Sequence, residues 1–342
     1  MKEILIDGSF LGKKITGVQR FNWETLRRLA QIPDLKIYVA VPRDISLDHF
    51  DIPGVEFVRE GKKNNKFWQL ITLGRIARKR KLPLLCMSNF SPLFRKDYVV
   101  LHDVTYLDKE GRNDRFWAWI YRVLIGFRFH RHRLIFTVSE FSRSRILYHY
   151  PKVKKEQVVV VGNGGDHWRD VGVKKPDMEH LDAYYLAVGS TSANKNFGYI
   201  IRLAERNPDK QFLVVGRIDG PWRERSEGVP NMTFTGYLQN EELKYLYLHT
   251  KGMIQPSFYE GFGLPALEAL NCGCRILALA DIPTFREVYA PVANFFDPYD
   301  EEHLVDLDAL RPASEEAAEK ILSTYNWENV AATIYAHVEE KK

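Results

Sequence analysis

The sequence predicts an α/β protein with two domains, each built on a parallel sheet. Short apolar runs alternate with amphipathic segments along the whole chain, which is typical of strands joined by crossover helices. The length of 342 residues suits two domains, and a hydrophobic content of 45% is sufficient for two ordinary cores. A turn-rich stretch at Gly162–Asp166 separates the two series of runs. We therefore predict domains at residues 1–165 and 166–325, followed by a separate segment, residues 326–342.

The first half of the chain predicts seven strands and four helices. The strands are the short apolar runs Glu3–Ile6, Lys36–Val41, Val55–Val58, Leu84–Met87, Tyr98–Leu101, Leu134–Val138 and Val158–Val161. The helices are the amphipathic segments Gly17–Ala30, Lys66–Lys81, Asp114–Arg131 and Ser139–Tyr150. In such a sheet, ligands gather beyond the carboxyl ends of the strands.

The second half repeats this alternation. Its predicted strands are Tyr184–Val188, Gln211–Val215, Met232–Phe234, Gly252–Ile254 and Arg275–Ala278. Its predicted helices are Asn196–Asn207, Asn240–His249, Pro265–Asn271 and Ala313–Leu322. A last segment, Trp327–Glu340, has an apolar stripe at helical spacing and predicts an amphipathic helix.

Charge is distributed unevenly between the halves. Residues 1–165 have a net charge of +15, and residues 166–342 a net charge of −10. The positive charge is concentrated in two clusters: Lys62, Lys63, Lys66, Arg75, Arg78, Lys79, Arg80 and Lys81, and then Arg122, Arg128, Arg131 and Arg133. The second cluster follows the aromatic-rich segment Phe116–Tyr121. The pattern fits a solvated basic face or peripheral contact with an anionic membrane. No nucleic acid is expected, because no recognition motif accompanies the charge.

Other sequence features indicate an intracellular protein. The first residues form a predicted strand rather than the basic and then apolar order of a signal peptide. No stretch has the roughly 18 apolar residues that a membrane span needs. The three cysteines form no disulfide framework, so we predict buried reduced thiols. We expect a cytoplasmic location, with the inner face of the membrane as the alternative.

One string in the second half has the features of a ligand site. Residues Pro256–Leu270 form a glycine-punctuated turn and the start of a helix, with Pro265 suited to the first helical position and Gly273 to the end of the helix. The free N–H groups of that first turn are a ready anion site. Glu260 and Glu268 flank it, and each carboxylate can accept hydrogen bonds from a pair of sugar or ribose hydroxyls. A phosphate flanked by polyols describes a nucleotide sugar.

This string, Glu-Gly-Phe-Gly-Leu-Pro-x-x-Glu, resembles the E-x7-E signature of retaining glycosyltransferases of family 4. The resemblance implies the glycosyltransferase-B fold, in which two Rossmann-like domains face each other across a cleft and the last helix braces the first domain. It places Glu260 on the donor sugar as a catalytic residue and Glu268 on the ribose. The remaining donor-binding residues of the string are Gly261, Phe262, Gly263 and Leu264.

A second loop of this half resembles a donor-binding segment of that family. Leu186–Asn196 is similar to the V-G-S-x-x-x-R-K-N loop, in which Lys195 would neutralise the pyrophosphate as a catalytic residue. Asn194 stands where the family has Arg, and Arg217 is either a second cation or a surface residue. Asn196 is a candidate helix cap.

A third loop of this half resembles the base-binding segment of the family. Phe234–Leu238 contains a glycine that lets a nucleobase approach the backbone, with Tyr237 or Leu238 covering its face. The alternative is a plain turn between a strand and a helix.

The first half contributes the other wall of the implied cleft. Gly17 and Arg20 lie in a segment that resembles the G-I/V-x-R motif near the diphosphate and the acceptor. His102 and Asp103 follow a predicted strand and resemble the H-D motif, whose His approaches the transferred sugar as a catalytic residue. Asp103 would contact the acceptor or orient His102. Ser139 begins a match to the S-E-F-S segment and is a candidate helix cap.

The function implied is transfer of a hexose-type sugar, with retention, from a GDP- or UDP-linked donor to an acceptor hydroxyl. The acceptor would be a bacterial surface polysaccharide or a lipid-linked glycan. No cofactor and no metal ion are expected: Asp306-Leu307-Asp308 has the spacing of a metal-binding D-x-D motif but lies far from the phosphate loops. The alternatives are a nucleotide-sugar epimerase or glycosyl phosphorylase on the same fold, and a basic scaffold that binds polyanions.

Overall fold

The chain forms two compact units. The computed structural model describes residues 1–47, 50, 52–62, 64–111, 129–178, 181, 183–190, 192–216, 224 and 228–338. The first unit consists of the described residues within Met1–Leu107, Arg115–Gly164 and Asn326–Lys342. The second consists of those within Asp108–Asp114 and Gly165–Tyr325. The division falls between Gly164 and Gly165, one residue before the predicted boundary. The assignment of residues 108–111 to the second unit was not predicted from the sequence.

The first unit has a seven-stranded parallel sheet in the order β3-β2-β1-β4-β5-β6-β7. Its strands are β1 Lys2–Asp7, β2 Leu35–Val41, β3 Val55–Arg59, β4 Leu84–Cys86, β5 Tyr98–Val100, β6 Leu134–Thr137 and β7 Val158–Val160. All seven predicted strands are present. Nearly all their residues are buried or half-buried, because helices cover both faces of such a sheet.

The described helices of this unit are α1 Gly17–Leu29, α2 Leu73–Arg80, α3 Glu140–His149 and α9 Trp327–His337. A π-helical turn, Trp68–Thr72, leads into α2. The serine predicted to cap a helix does so, since the Ser139 hydroxyl accepts from the Ser142 N–H at 3.0 Å at the start of α3.

The last helix packs on the first unit. The Trp327 ring of α9 lies 5.8 Å from the Phe21 ring of α1, edge to face. The Lys2 ammonium donates to the Tyr335 carbonyl at 2.9 Å, which ties α9 to β1. Gly164 lies against the same tryptophan, where a Cβ would be 2.4 Å from the Trp327 backbone nitrogen. The chain thus leaves the first unit after Gly164 and returns to it at Asn326 beside this contact.

The second unit has a six-stranded parallel sheet in the order β10-β9-β8-β11-β12-β13. Its strands are β8 Tyr184–Val188, β9 Gln211–Val215, β10 Met232–Gly236, β11 Gly252–Gln255, β12 Leu277–Ala280 and β13 Ala293–Phe296. Its described helices are α4 Phe197–Arg206, α5 Asn240–His249, α6 Leu264–Asn271, α7 Pro283–Tyr289 and α8 Glu315–Thr324.

Three features of this unit differ from the prediction. Strand β13 and helix α7 were missed, because a four-residue edge strand and a seven-residue helix give little periodicity. Strand β12 begins two residues later than predicted. The Cys274 N–H still bonds the Ala269 carbonyl at 3.0 Å, so the turn that ends α6 extends to that point.

In each sheet the first strand of the unit lies in the interior of the sheet, between two strands that follow it in the chain. Strand β1 lies between β2 and β4, and strand β8 lies between β9 and β11. The loops that follow these strands therefore diverge at a topological switch point, where open α/β sheets bind ligands. The loop after β8 contains Lys195, and the loop after β11 contains Glu260.

Several predicted features lie outside the described residues. They are Lys63, most of the helix Asp114–Arg131 with its aromatic segment Phe116–Tyr121, Arg122, Arg128 and Arg217. Among the helices that are described, none is long and apolar enough to cross a bilayer. All three cysteines are buried, and none of them is in a disulfide, as predicted.

Candidate active site

Two loops meet at the switch point of the second unit and form an ion pair. The Lys195 ammonium lies 2.6 Å from Glu260 Oε1. Two hydrogen bonds hold the loops together: the Phe258 backbone N–H donates to the Asn194 carbonyl at 2.8 Å, and the Asn194 side-chain amide donates to the Tyr259 carbonyl at 3.2 Å. The structure therefore brings together three residues that the sequence predicted separately: Asn194, Lys195 and Glu260.

The two oxygens of the Glu260 carboxylate have different surroundings. Oε1 accepts three hydrogen bonds, from Lys195 Nζ at 2.6 Å, Ser257 Oγ at 2.7 Å and Gln255 Nε2 at 2.9 Å. Oε2 has no hydrogen-bond partner among the described residues. The side chain is 9% exposed, so the carboxylate is largely withdrawn from water. Three donors on one oxygen fix the rotamer and leave the other oxygen to accept from a ligand hydroxyl.

Helix α6 begins directly after this carboxylate. Gly263 precedes its first residue with a φ of +89°, a conformation in which glycine has no steric penalty. A Cβ at this position would lie 2.3 Å from the buried Phe285 ring. The Tyr289 hydroxyl donates to the Gly263 carbonyl at 2.8 Å, which stabilises this turn. In this first turn Pro265 has no N–H and the Ala266 N–H donates to the Gly263 carbonyl at 3.1 Å, so it is the positive end of the helix dipole that would favour an anion here.

The end of α6 follows the predicted pattern. Gly273 has a φ of +94°, and its N–H donates to the Leu270 carbonyl at 3.1 Å. Together with the bond from Cys274 to Ala269, this is a Schellman motif. Pro265 is the second helical residue rather than the first, because Leu264 already has helical geometry.

Glu268 lies one turn inside α6 and is buried. Its Oε2 accepts from the Tyr247 hydroxyl at 3.1 Å, and its Oε1 lies 3.8 Å from His167 Nε2. Burial and the neighbouring Glu268 charge raise the pKa of Tyr247 well above its usual value, so this hydroxyl stays protonated and donates. Both oxygens of Glu268 thus have protein neighbours in addition to any ribose they would hold.

The predicted cap at Asn196 is wrong in its mechanism. Asn196 is the residue before α4, but its side chain makes no capping hydrogen bond. It has a φ of +52°, and its amide donates to the Pro298 carbonyl at 2.9 Å. The left-handed backbone turns the side chain away from the helix, so that it anchors the loop behind Lys195 instead.

The predicted base-binding loop follows a close contact between strand ends. A Cβ on Gly216 would be 2.0 Å from the Gly189 carbonyl oxygen, and the Gly216 N–H donates to the Gly236 carbonyl at 3.0 Å. These glycines leave bare backbone at the carboxyl ends of β8, β9 and β10. Tyr237 follows with 70% of its surface exposed, and Leu238 is half-buried.

In the first unit, His102 follows β5 and is buried. Its Nε2 lies 3.0 Å from the Met87 carbonyl oxygen, which can only accept, so Nε2 carries the proton and Nδ1 is the acceptor. Burial lowers the pKa of His102, although the Met87 contact and the Asp103 charge act in the opposite direction. The imidazole is therefore neutral near pH 7. It packs edge to face on Phe21 of α1, with ring centroids 4.7 Å apart.

The other predicted residues of this unit have partners of their own. Asp103 Oδ1 accepts from the Thr105 N–H at 3.0 Å and from its hydroxyl at 2.7 Å, and the structure gives it no hydrogen bond to the His102 ring. Arg20 lies 3.6 Å from Glu24 in the next turn of α1. Gly17 is the exposed first residue of that helix.

Sequence reasoning missed the groups that support the site. Gln255 and Ser257 donate to Glu260, Tyr247 donates to Glu268, and the buried Thr284 hydroxyl donates to the Glu260 carbonyl at 2.7 Å. Only Gln255 had a usable signal, since it is an amide that ends an otherwise apolar strand. Tyr247 and Thr284 come from helices whose packing the sequence does not disclose.

Comparison with known proteins supports the resemblance to glycosyltransferases that the sequence motifs indicate. The family model of glycosyl transferases group 1 matches residues 173–320, which lie within the second unit. The structure of a sucrose-phosphate synthase from Thermosynechococcus elongatus superposes with a TM-score of 0.72, at 17% identity, over 98% of each chain. That likeness shows the fold, which is the glycosyltransferase-B fold.

Two curated relatives are bacterial mannosyltransferases. The chain is 25% identical to the O-antigen chain mannosyltransferase RfbU of Salmonella typhimurium, over 87% of this chain and 88% of that protein. It is 29% identical to the O-antigen chain mannosyltransferase B of Escherichia coli, over 49% of this chain and 48% of that protein. The chain is thus similar to glycosyl transferases group 1 over residues 173–320 and to these two mannosyltransferases, and it has the glycosyltransferase-B fold.

Proposed function

We propose that this glycosyltransferase transfers mannose, with retention, from a nucleoside diphosphate sugar to a hydroxyl of a bacterial surface glycan. The observation that supports it best is the Lys195–Glu260 pair beside the N-terminus of α6, with Glu268 one turn further on. These groups can receive the phosphates, the transferred sugar and the ribose of one donor molecule. The two relatives, named as O-antigen chain mannosyltransferases, favour mannose and an O-antigen acceptor.

The proposed catalysis relies on positive charge that is already in position before the donor binds. As the bond from the sugar to the diphosphate breaks, negative charge grows on the leaving phosphate. Lys195 and the positive end of the α6 helix dipole stabilise that charge, which is electrostatic catalysis by preorganised groups. Glu260 Oε2 accepts from a sugar hydroxyl and holds the ring in position. The acceptor hydroxyl attacks from the side that the diphosphate leaves, so that the departing phosphate oxygen takes its proton and the anomeric configuration is retained.

Two further parts of the proposal concern the donor. At Gly236 a Cβ would meet nothing within 4 Å, which leaves room for a nucleobase against the backbone, and the exposed Tyr237 beside it can cover the base. The base is guanine or uracil. We also propose that transfer needs no divalent ion, because Lys195 and the helix terminus supply the positive charge that a metal would otherwise provide.

A thermal-shift experiment tests the donor site. We expect GDP or UDP, and the matching sugar nucleotide, to stabilise the protein equally with and without EDTA. At a hundredfold excess over the dissociation constant, binding adds about 2.7 kcal/mol of stability. Glu268→Ala removes the ribose contact and should abolish most of this shift. Glu242→Ala is the matched control, since it removes another partly buried glutamate of the same unit, whose partner is Lys174.

Other outcomes of that experiment would contradict the proposal. A shift that EDTA removes would overturn metal independence alone. No shift with any nucleotide would overturn the donor site and favour the basic scaffold, which salt-dependent retention on heparin would then support. Product analysis separates transfer from epimerisation or phosphorolysis on the same fold, because only transfer joins the sugar to an acceptor hydroxyl.

We further propose that the first unit contacts an anionic membrane, where a lipid-linked acceptor would lie. Its loops after β1, β3 and β4 share the carboxyl edge of the sheet, and hydrogen bonds connect them, from Asn64 to Ser9 at 2.9 Å and from Leu93 to Leu70 at 2.9 Å. These loops expose four large apolar side chains: Ile15, Phe67, Leu93 and Phe94. They also expose the lysines Lys13, Lys14, Lys62, Lys66 and Lys96. Apolar groups among cations suit the surface of an anionic bilayer.

Vesicle sedimentation tests this contact. We expect the protein to bind vesicles that contain phosphatidylglycerol and not pure phosphatidylcholine. Phe67 and Phe94 are 66% and 76% exposed, so Phe67→Ser/Phe94→Ser removes apolar area that would enter the bilayer. Binding should fall at least about tenfold. Val173→Ser/Leu248→Ser, which changes exposed apolar residues of the second unit, should bind like the wild type. Equal binding by both double variants would contradict the assignment.

A further inference from the structure

Gln255 is an unusual residue for its position. It ends β11, a central strand of the second sheet, and is 3% exposed. The other residues of that strand are Gly252, Met253 and Ile254, all buried. Strands covered on both faces are typically apolar throughout. A buried amide here must therefore be explained by its hydrogen bonds.

Only half of this amide is satisfied by the protein. Nε2 donates to Glu260 Oε1 at 2.9 Å. Oε1 of Gln255 is buried and has no protein donor among the described residues. Rotating the amide by half a turn would point its oxygen at the carboxylate oxygen, which is repulsive, so the orientation is fixed. A buried acceptor without a donor destabilises the fold, and a methionine of similar length would avoid that penalty.

The partner of Gln255 suggests what the amide does. Three donors converge on Glu260 Oε1, and one of them, Lys195, is the cation assigned to the pyrophosphate. When a diphosphate binds, the ammonium of Lys195 is shared between phosphate and carboxylate. Gln255 and Ser257 are neutral and buried, so an anionic ligand does not compete for them in the same way. They can keep Oε1 in place while Lys195 turns toward the phosphate.

We propose that Gln255 is a positioning residue that fixes which oxygen of Glu260 meets the transferred sugar. This inference rests on the proposed function. With Oε1 held by the amide, Oε2 stays directed to the ligand hydroxyl throughout the reaction. Without the amide, only the Ser257 hydroxyl holds Oε1 once Lys195 is engaged by the donor, so the carboxylate can rotate about that single contact and the sugar loses its fixed acceptor.

The test compares turnover, nucleotide affinity and stability in Gln255→Met. We expect kcat to fall about tenfold, since the sugar is held less well in the transition state. The thermal shift produced by the nucleoside diphosphate should remain as in the wild type, and the Tm of the free protein should not decrease. Gln255→Glu is the second variant. It has the same shape, cannot donate as a carboxylate, and should lose at least as much turnover.

Asn231→Leu is the matched control. Asn231 is also a buried amide of the second unit, but its Nδ2 donates only to backbone carbonyls, those of Ala204, Asn207 and Lys210. We expect a lower Tm and an unchanged kcat, the reverse of Gln255→Met. A Gln255→Met enzyme with kcat within about twofold of the wild type, or with affinity reduced as much as kcat, would overturn the inference. A wild type that binds no nucleotide would overturn the proposed function and this inference with it.

Discussion

Glu260→Gln should lower kcat by about 10²- to 10³-fold while nucleotide affinity changes little, as expected for loss of one preorganised polar contact in a transition state. Glutamine has the same shape but no charge, and its amide must place an NH2 group on one side. If that group faces inward, it opposes the donors from Lys195, Ser257 and Gln255. If it faces outward, it presents a donor where the sugar hydroxyl needs an acceptor. Steady-state kinetics and the thermal shift together measure the two effects.

Glu242→Gln is the control for that substitution. Glu242 is also partly buried and paired with a lysine, at 3.1 Å from Lys174, but it lies at the start of α5. We expect its kcat to equal that of the wild type. Near-normal transfer by Glu260→Gln would show that the carboxylate does not act on the sugar. A loss of nucleotide binding as large as the loss of turnover would assign it to donor binding instead.

Lys195→Met should have the largest effect, a loss of about 10³-fold in kcat/KM. It removes the cation that faces the leaving diphosphate and also leaves the largely buried Glu260 carboxylate without its ionic partner. Unlike Glu260→Gln, it should weaken nucleotide binding as well, because phosphate is present before and after transfer. In the double variant Lys195→Met/Glu260→Gln, the activation free energy should rise by much less than the sum of the two single increases. The two groups act as one unit, so removing the second costs little once the first is gone.

Lys210→Met is the matched control for the lysine. Lys210 Nζ lies 2.8 Å from Asp308 Oδ1, a pair of similar length, and its side chain is 15% exposed. The variant should retain activity and the nucleotide shift. Additive losses in the Lys195 and Glu260 double variant would mean that the 2.6 Å contact between them has no catalytic role.

The sequence predicted the strands well because parallel strands are short, apolar and bounded by turns. All seven strands of the first sheet and five of the six in the second were anticipated, and β8 and β9 match residue for residue. The missed β13 is a half-buried edge strand with little apolar signal. The turn before α6 was also predictable, since Gly263 must have a positive φ and Gly273 ends the helix.

The sequence by itself determined the fold class and the chemical types present at the site. A glycine turn, a helix start and two glutamates at fixed spacing are local features, and local features follow from the chain itself. Only the tertiary structure decided which oxygen of Glu260 is occupied and by which donors. Lys195 and Glu260 are 65 positions apart and meet because β8 and β11 are neighbours at the switch point of the sheet. The same packing places Tyr247 and His167 on Glu268. Contacts of this kind depend on how strands are ordered and how side chains pack across elements, which no local pattern encodes.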